Sequence, residues 1–129
     1  MKFFLLLFLI GLLYAESFAC SCKGNLDPFY KDNLKKYYYF TGKVIVTEEI
    51  EGDFPKRKYT LLITNNFNSE FVKDTFVVYS SKGSCGLKLE IGTEYILGAT
   101  KEKESRVGVC LLHARVEEKK ELISKLSNK

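Results

Sequence analysis

Residues 37–47, YYYFTGKVIVT, determine the fold that we expect for this chain. Aromatic and β-branched side chains fill this run, and such residues favour the pleated, half-buried surface of a β-sheet. Gly42 interrupts the run, and a glycine inside a strand is typical of a β-bulge or a sharp bend. The segment therefore predicts a first strand that bends near its middle.

Four more strands are predicted downstream of this one. The polar stretch 48–57, EEIEGDFPKR, contains Gly52 and Pro55 and predicts the connection of a long-armed hairpin. The charged run 101–106 predicts a short hairpin that links the last two strands. The four strands are expected at 58–64 (KYTLLIT), 74–81 (DTFVVYSS), 94–100 (EYILGAT) and 106–114 (RVGVCLLHA).

Short helices are predicted on both sides of the strands. Asp27 is expected as an N-cap and Pro28 at the first helical position, which predicts a helix within 23–36. Residues 115–126, RVEEKKELISKL, predict a closing amphipathic helix. Its apolar positions have near-helical spacing: Val116, Leu122, Ile123 and Leu126.

The pattern predicts a mainly β protein, a five-stranded Greek-key barrel of the OB-fold type with flanking short helices. Closure of such a barrel removes exposed strand edges. An immunoglobulin-like sandwich needs about seven strands and usually a core tryptophan. The sequence contains no tryptophan.

The first 19 residues have the features of a signal peptide. An apolar run at 3–14, FFLLLFLIGLLY, follows Lys2 and is shorter than the roughly 20 residues that span a bilayer. Ser17 and Ala19 occupy the small-residue positions before a cleavage site. We therefore expect a signal peptide at 1–19, no membrane span, and a mature domain at 20–129 that is secreted into the extracellular space or matrix.

The four cysteines all lie in the predicted mature domain: Cys20, Cys22, Cys85 and Cys110. Thiols of secreted chains normally oxidise, so two disulfides are expected. Four cysteines allow three pairings, and a bridge within Cys20-Ser21-Cys22 would close a very tight ring. Long-range pairings are therefore favoured. A zinc site is disfavoured by the oxidising compartment and the lack of a C-x-x-C pair.

Charge and histidine content limit the classes of function. The net charge of +4 favours weak attraction to sulfated matrix polysaccharide over dedicated nucleic-acid binding. The two basic clusters of the sequence, Lys35–Lys36 and 56–58, are expected in solvated loops.

His113 is the only histidine, and one imidazole does not build a metal site or a catalytic triad. We expect that the protein is not an enzyme and that it has no cofactor of its own.

Two stretches together resemble a known family. Residues 84–110, SCGLKLEIGTEYILGATKEKESRVGVC, and the Cys-x-Cys start at Cys20 are similar to the N-terminal, netrin-like domain of tissue inhibitors of metalloproteinases. Residues 37–49 match the first barrel strand of that domain and the start of its long loop. The resemblance implies disulfides from Cys20 to Cys85 and from Cys22 to Cys110. The family's third disulfide and C-terminal domain are missing, so a minimal single-domain form is implied.

The resemblance also implies a function, inhibition of secreted or cell-surface zinc metalloproteases by a monomer. The amino nitrogen and carbonyl oxygen of Cys20 would chelate the zinc of the protease. Ser21 would enter its main specificity pocket, and Cys22 and Lys23 would follow along the primed side of the cleft. The unprimed side would be filled by Gly83 and Ser84.

A second class of function remains open. Related netrin-like modules bind matrix, growth factors or proteases without blocking zinc when residues precede the first cysteine. The position of the mature N-terminus therefore distinguishes an inhibitor from a binding module.

Overall fold

The computed structural model describes residues 2–15, 20–22, 27–67 and 74–128. Five antiparallel strands form one open sheet with the order β3-β2-β1-β4-β5, which confirms the mainly β fold. The strands are β1 (Tyr37–Ile50), β2 (Lys56–Asn66), β3 (Thr75–Ser81), β4 (Glu94–Thr100) and β5 (His113–Arg115). The helices are α1 (Lys2–Ala15), α2 (Asn33–Lys36), a 3₁₀ turn (Val116–Glu118) and α3 (Lys120–Ser127).

The predicted first strand is the centre of the sheet. β1 pairs with β2 on one side and with β4 on the other. The register with β2 shifts between Thr41 and Gly42, which confirms the predicted irregularity. A Cβ at Gly42 would lie 3.2 Å from the Cβ of Leu61, so glycine allows β2 to approach closely at this point.

The core lies against one face of the sheet. Tyr59 is buried, and its hydroxyl donates a hydrogen bond to the Leu87 carbonyl (3.0 Å) and accepts one from the Leu89 amide (3.1 Å). These bonds hold the irregular segment 86–90 over the core. Each fully buried large apolar side chain contributes about 1.5–3 kcal/mol. The best-buried members of this core cluster larger than alanine are Phe40, Val44, Leu61, Val78 and Leu97.

The fifth strand is shorter than predicted, because a turn interrupts the segment 106–114. Leu111 donates its amide to the Gly108 carbonyl (3.0 Å), and Val109 donates to the Cys85 carbonyl (3.1 Å). Neither amide is therefore available to a neighbouring strand. Before the turn, Arg106 forms an isolated parallel bridge with Tyr79.

The helix predicted within 23–36 is also shorter than expected. Residues 23–26 lie outside the described part, and α2 begins only at Asn33. Asp27 caps a turn rather than a helix, because its carboxylate accepts the Phe29 amide (2.9 Å) and its carbonyl accepts the Tyr30 amide (3.0 Å). The closing helix predicted at 115–126 divides into the 3₁₀ turn and α3, where Leu126 is buried.

Helix α1 corresponds to the predicted signal-peptide core. The side chains of residues 2–9 are exposed to solvent. Among the helices that the structure describes, none has the length and apolar character needed to cross a membrane. The predicted cleavage positions, Ser17 and Ala19, lie outside the described residues.

Candidate functional site

Two disulfides bring distant parts of the chain together at the Cys-x-Cys segment. Cys20 is bonded to Cys85 and Cys22 to Cys110, with Cα–Cα distances of 5.2 Å in both cases. This is the pairing that the resemblance implies. The sulfurs of Cys20 and Cys110 are 3.7 Å apart, so the two bridges lie side by side. Each bridge closes a long loop and contributes about 4 kcal/mol through the entropy of the unfolded chain.

The bridges hold residues 20–22 at both ends. Cys20 is half-buried, whereas Ser21 and Cys22 are exposed. One bridge leads to the turn after β3 and the other to the turn before β5, so two separate elements fix this short segment. All four cysteines are disulfide-bonded, and the sulfurs of Cys20, Cys22 and Cys110, although within 4.8 Å of one another, are not free thiolates for a metal.

The turn at 81–86, which carries Cys85, is tightly wound. The Gly83 amide donates to the Ser81 hydroxyl (3.0 Å), and the Gly86 amide donates to the Gly83 carbonyl (3.0 Å). A Cβ at Gly86 would lie 1.6 Å from the Ser81 carbonyl oxygen. Only glycine therefore fits at position 86, and no local sequence pattern marks this requirement.

The two disulfide-bearing turns also contact each other directly. The Val109 amide donates to the Cys85 carbonyl at 3.1 Å, and a Cβ at Gly108 would come within 3.0 Å of that same oxygen. The first turn is tied to β3 as well, because the buried Ser80 hydroxyl accepts the Leu87 amide (2.7 Å). Hydrogen bonds thus join the two turns that carry Cys85 and Cys110 into one unit. We call this unit the platform, and residues 20–22 are bonded to it through both disulfides.

Lys82 attaches the turn at 81–86 to the hairpin between β1 and β2. Its Nζ lies 3.1 Å from the Glu49 carboxylate and 2.6 Å from the Glu51 carboxylate, and its amide donates to the Pro55 carbonyl (3.2 Å). The hydrogen bond from Lys82 lowers the pKa of Glu49. The pKa of Lys82 is raised, mainly by its hydrogen bond to Glu51 and to a smaller extent by its hydrogen bond to Glu49. The polar stretch 48–57 is predicted as a hairpin connection, and its pattern does not identify Lys82 as the partner of these carboxylates.

These pKa shifts give the pH range of the attachment. Since the Glu49 pKa is lowered on folding, the ion pair of Glu49 with Lys82 stabilises the fold above the ordinary value of 4.5. This stabilisation is lost as pH falls through the folded pKa. Since the Lys82 pKa is raised on folding, the Lys82 ammonium stabilises the fold fully below the ordinary value of 10.5. This stabilisation is lost as pH rises through the folded pKa. The ion pairs are therefore intact at neutral pH.

We expect the substitution Lys82→Met to loosen the hairpin tip at 51–55 without unfolding the sheet. The methylene stem remains, but both ion pairs are lost. Amide hydrogen exchange at 51–55 and 82–86 should accelerate at neutral pH, and the difference from the native protein should vanish in acid. Lys58→Met is the matched control, since Lys58 lies 3.9 Å from a single carboxylate, that of Glu48. Equal exchange in both variants would contradict the assignment to Lys82.

The remaining predicted positions are exposed or lie outside the described residues. Gly83 and Ser84 are exposed on the turn beside Cys85, and Lys23 lies outside the described residues. Gly83 also lines an open cleft of about 720 Å³ together with Phe54. His113 is exposed, and in the described part of the chain its ring Nδ1 lies 2.8 Å from the Leu111 carbonyl oxygen.

No model of a known protein family matches the sequence, and no curated protein matches it. The similarity to tissue inhibitors of metalloproteinases therefore depends on the cysteine positions and the stretches quoted above.

Proposed function

We propose that residues 20–129, after removal of residues 1–19, form a secreted inhibitor of zinc metalloendopeptidases of the matrix metalloproteinase type. The zinc of the protease is bound by the amino nitrogen and the carbonyl oxygen of Cys20. One observation carries this proposal: both cysteines of the segment 20–22 are bonded to a platform, and Ser21 is exposed between them.

The chemistry of a catalytic zinc site explains why such a terminus would inhibit. The metal keeps one coordination position for the water that attacks the peptide bond, and loss of that water stops the reaction. A free α-amino group has a pKa of roughly 7.7–8.0, and coordination to a cation removes its proton. The nitrogen and carbonyl oxygen of Cys20 close a five-membered chelate ring. The Cys20 sulfur is not a ligand, because it is bonded to Cys85.

The neighbouring residues would occupy the substrate cleft of the protease. Ser21 has a small exposed side chain, which fills a specificity pocket only in part and favours a broad range of targets. Cys22 and Lys23 would follow on the primed side. Gly83 and Ser84 are kept beside Cys20 through its bond to Cys85 and would occupy the unprimed side. Little ordering entropy is lost when such a preformed surface binds.

The same proposal includes the finer architecture, a Greek-key barrel of the OB type. The strand order leaves β3 and β5 at the two edges of the sheet. Tyr79 of β3 donates its amide to the Ser105 carbonyl (2.9 Å) and accepts the Val107 amide (2.9 Å). This parallel pairing joins β3 to the segment before β5, which supports closure of the sheet.

We expect Ser21→Gly to weaken inhibition by about tenfold, because loss of a small group from a hydrophobic pocket costs about 1–3 kcal/mol and this side chain is at the small end of that range. The loss should differ between proteases with shallow and deep pockets. Ser21→Ala is the control that keeps the backbone restricted while removing the hydroxyl. Inhibition constants against several matrix metalloproteinases measure both effects. Equal inhibition by all three proteins at every protease would exclude Ser21 from the pocket.

The proposal is tested on the secreted protein itself. N-terminal sequencing and intact mass should show a chain that begins at Cys20, and titration against a panel of matrix metalloproteinases should show stoichiometric inhibition. A chain that begins earlier has no free Cys20 amine. That outcome would contradict the proposed function, and so would a chain that begins at Cys20 and does not inhibit. In either case a netrin-like binding module would be the better account of the protein.

A further inference from the structure

The two basic clusters of the sequence have different surroundings in the folded chain. In the cluster at 56–58, Lys56 lies 2.6 Å from the Glu104 carboxylate and Lys58 lies 3.9 Å from that of Glu48. Arg57 faces Glu49 in the register of β1 and β2. Acidic side chains therefore compensate this cluster, which corrects its description as solvated loop charge.

The cluster around α2 lacks such compensation. Lys31, Lys35 and Lys36 are exposed, and among the residues that the structure describes no carboxylate lies within 4.0 Å of their Nζ atoms. The acidic residues of this turn are Asp27 and Asp32, and the Asp27 carboxylate accepts the Phe29 amide. Three ammonium groups thus face solvent on one short segment.

Pairing between β1 and β4 places a fourth cation next to this segment. Tyr37 pairs with Thr100, so Lys36 and Lys101 lie at adjacent positions just beyond the end of the ladder. The Lys101 ammonium lies 5.3 Å from the centre of the Tyr38 ring. We define the α2 basic surface as the three exposed lysines, Lys31, Lys35 and Lys36.

We propose that the α2 basic surface binds a sulfated polysaccharide, independently of protease inhibition. Sulfate groups stay ionised at every physiological pH, and exposed ammonium groups attract them across roughly one Debye length, about 8 Å. Phe29 is exposed beside the lysines and offers an apolar face to sugar rings, whereas the Lys31 ammonium lies 5.3 Å from the centre of the Tyr30 ring. A polysaccharide is favoured over nucleic acid because disulfide-bonded chains belong to the oxidising compartments where sulfated matrix occurs.

The test compares two triple variants of the secreted protein on immobilised heparin. Lys31→Gln, Lys35→Gln and Lys36→Gln together should weaken binding about tenfold at physiological salt, since each exposed ionic contact is worth about 0.2–1 kcal/mol. The control variant Lys56→Gln, Arg57→Gln and Lys58→Gln loses the same number of positive charges. Its affinity should stay within about twofold of the native value, because those cations already have acidic partners. Circular dichroism verifies that both variants fold.

Several outcomes would overturn the proposal. Equal losses in the two variants would mean that only net charge matters, and a larger loss in the control would place the site at 56–58. Equal binding of heparin and unsulfated hyaluronan would exclude recognition of sulfate. Binding to vesicles of phosphatidylcholine and phosphatidylserine instead of heparin would identify a lipid surface. Inhibition constants measured without heparin should be native in both variants, which separates failure of this site from failure of the inhibitor.

Discussion

Addition of one alanine before Cys20 should raise the inhibition constant for matrix metalloproteinases about a thousandfold or more. The extension converts the Cys20 amine into an amide, which is a poor zinc ligand, and it places a methyl group and a new charge in the metal site. Loss of a metal contact at the centre of a desolvated interface costs about 4 kcal/mol or more, and that energy corresponds to the expected factor.

The fold should not change in this variant. Cys20 is held through its side chain by Cys85, and that bond does not involve the amine. Circular dichroism and thermal unfolding should therefore match those of the native protein. An alanine added after Lys129 is the matched control and should inhibit as the native protein does. An extended protein that inhibits as well as the native one would leave the binding module as the better account.

The substitution Gly86→Ala should have the largest effect on stability, a loss of about 3 kcal/mol or more, which is typical of forced backbone shifts in a packed region. The new Cβ would lie 1.6 Å from the oxygen and 2.6 Å from the carbon of the Ser81 carbonyl. Backbone has to move to relieve this contact, and Cys85 next to it moves as well. Inhibition should weaken together with stability, because Cys85 anchors Cys20.

Gly83→Ala in the same turn provides the comparison for this prediction. Its Cβ would meet only the Ser81 hydroxyl at 3.3 Å, and a shift of about a few tenths of an ångström relieves that contact and keeps the hydrogen bond to the residue 83 amide, so the loss should be below about 1 kcal/mol. Urea unfolding of the three proteins measures the difference. Similar stability of the two variants would show that the turn at 81–86 does not need glycine at position 86.

The sequence predicted the elements whose pattern is local. The strand at 94–100 has the predicted bounds, and the pairing of β1 with β2 is irregular at Gly42, because aromatic, β-branched and glycine residues specify these features over a few neighbours. The residue pattern of 106–114 predicts a strand as clearly as that of 94–100 does, but a turn interrupts the segment. The bond from Cys110 to Cys22 joins residues 88 apart, a constraint that no local pattern reveals.

The site was predictable only in part, for the same physical reason. The Cys-x-Cys segment stands out in the sequence, because its spacing and its position after a signal-like segment are local features. Lys82 does not, since its partners Glu49 and Glu51 are more than 30 residues away and have no distinctive spacing. The acidic partners of the cluster at 56–58 are likewise known only from the folded sheet.

The zinc ligand itself can be observed in a protease whose zinc is replaced by cobalt. Cobalt absorbs visible light in a way that depends on its coordination number and ligands, and zinc sites expand from four to five ligands when a bidentate group displaces water. The protein that begins at Cys20 should change the cobalt spectrum until one equivalent is bound, and the alanine-extended protein should not. A native protein that inhibits this protease and leaves the cobalt spectrum unchanged would contradict chelation by Cys20.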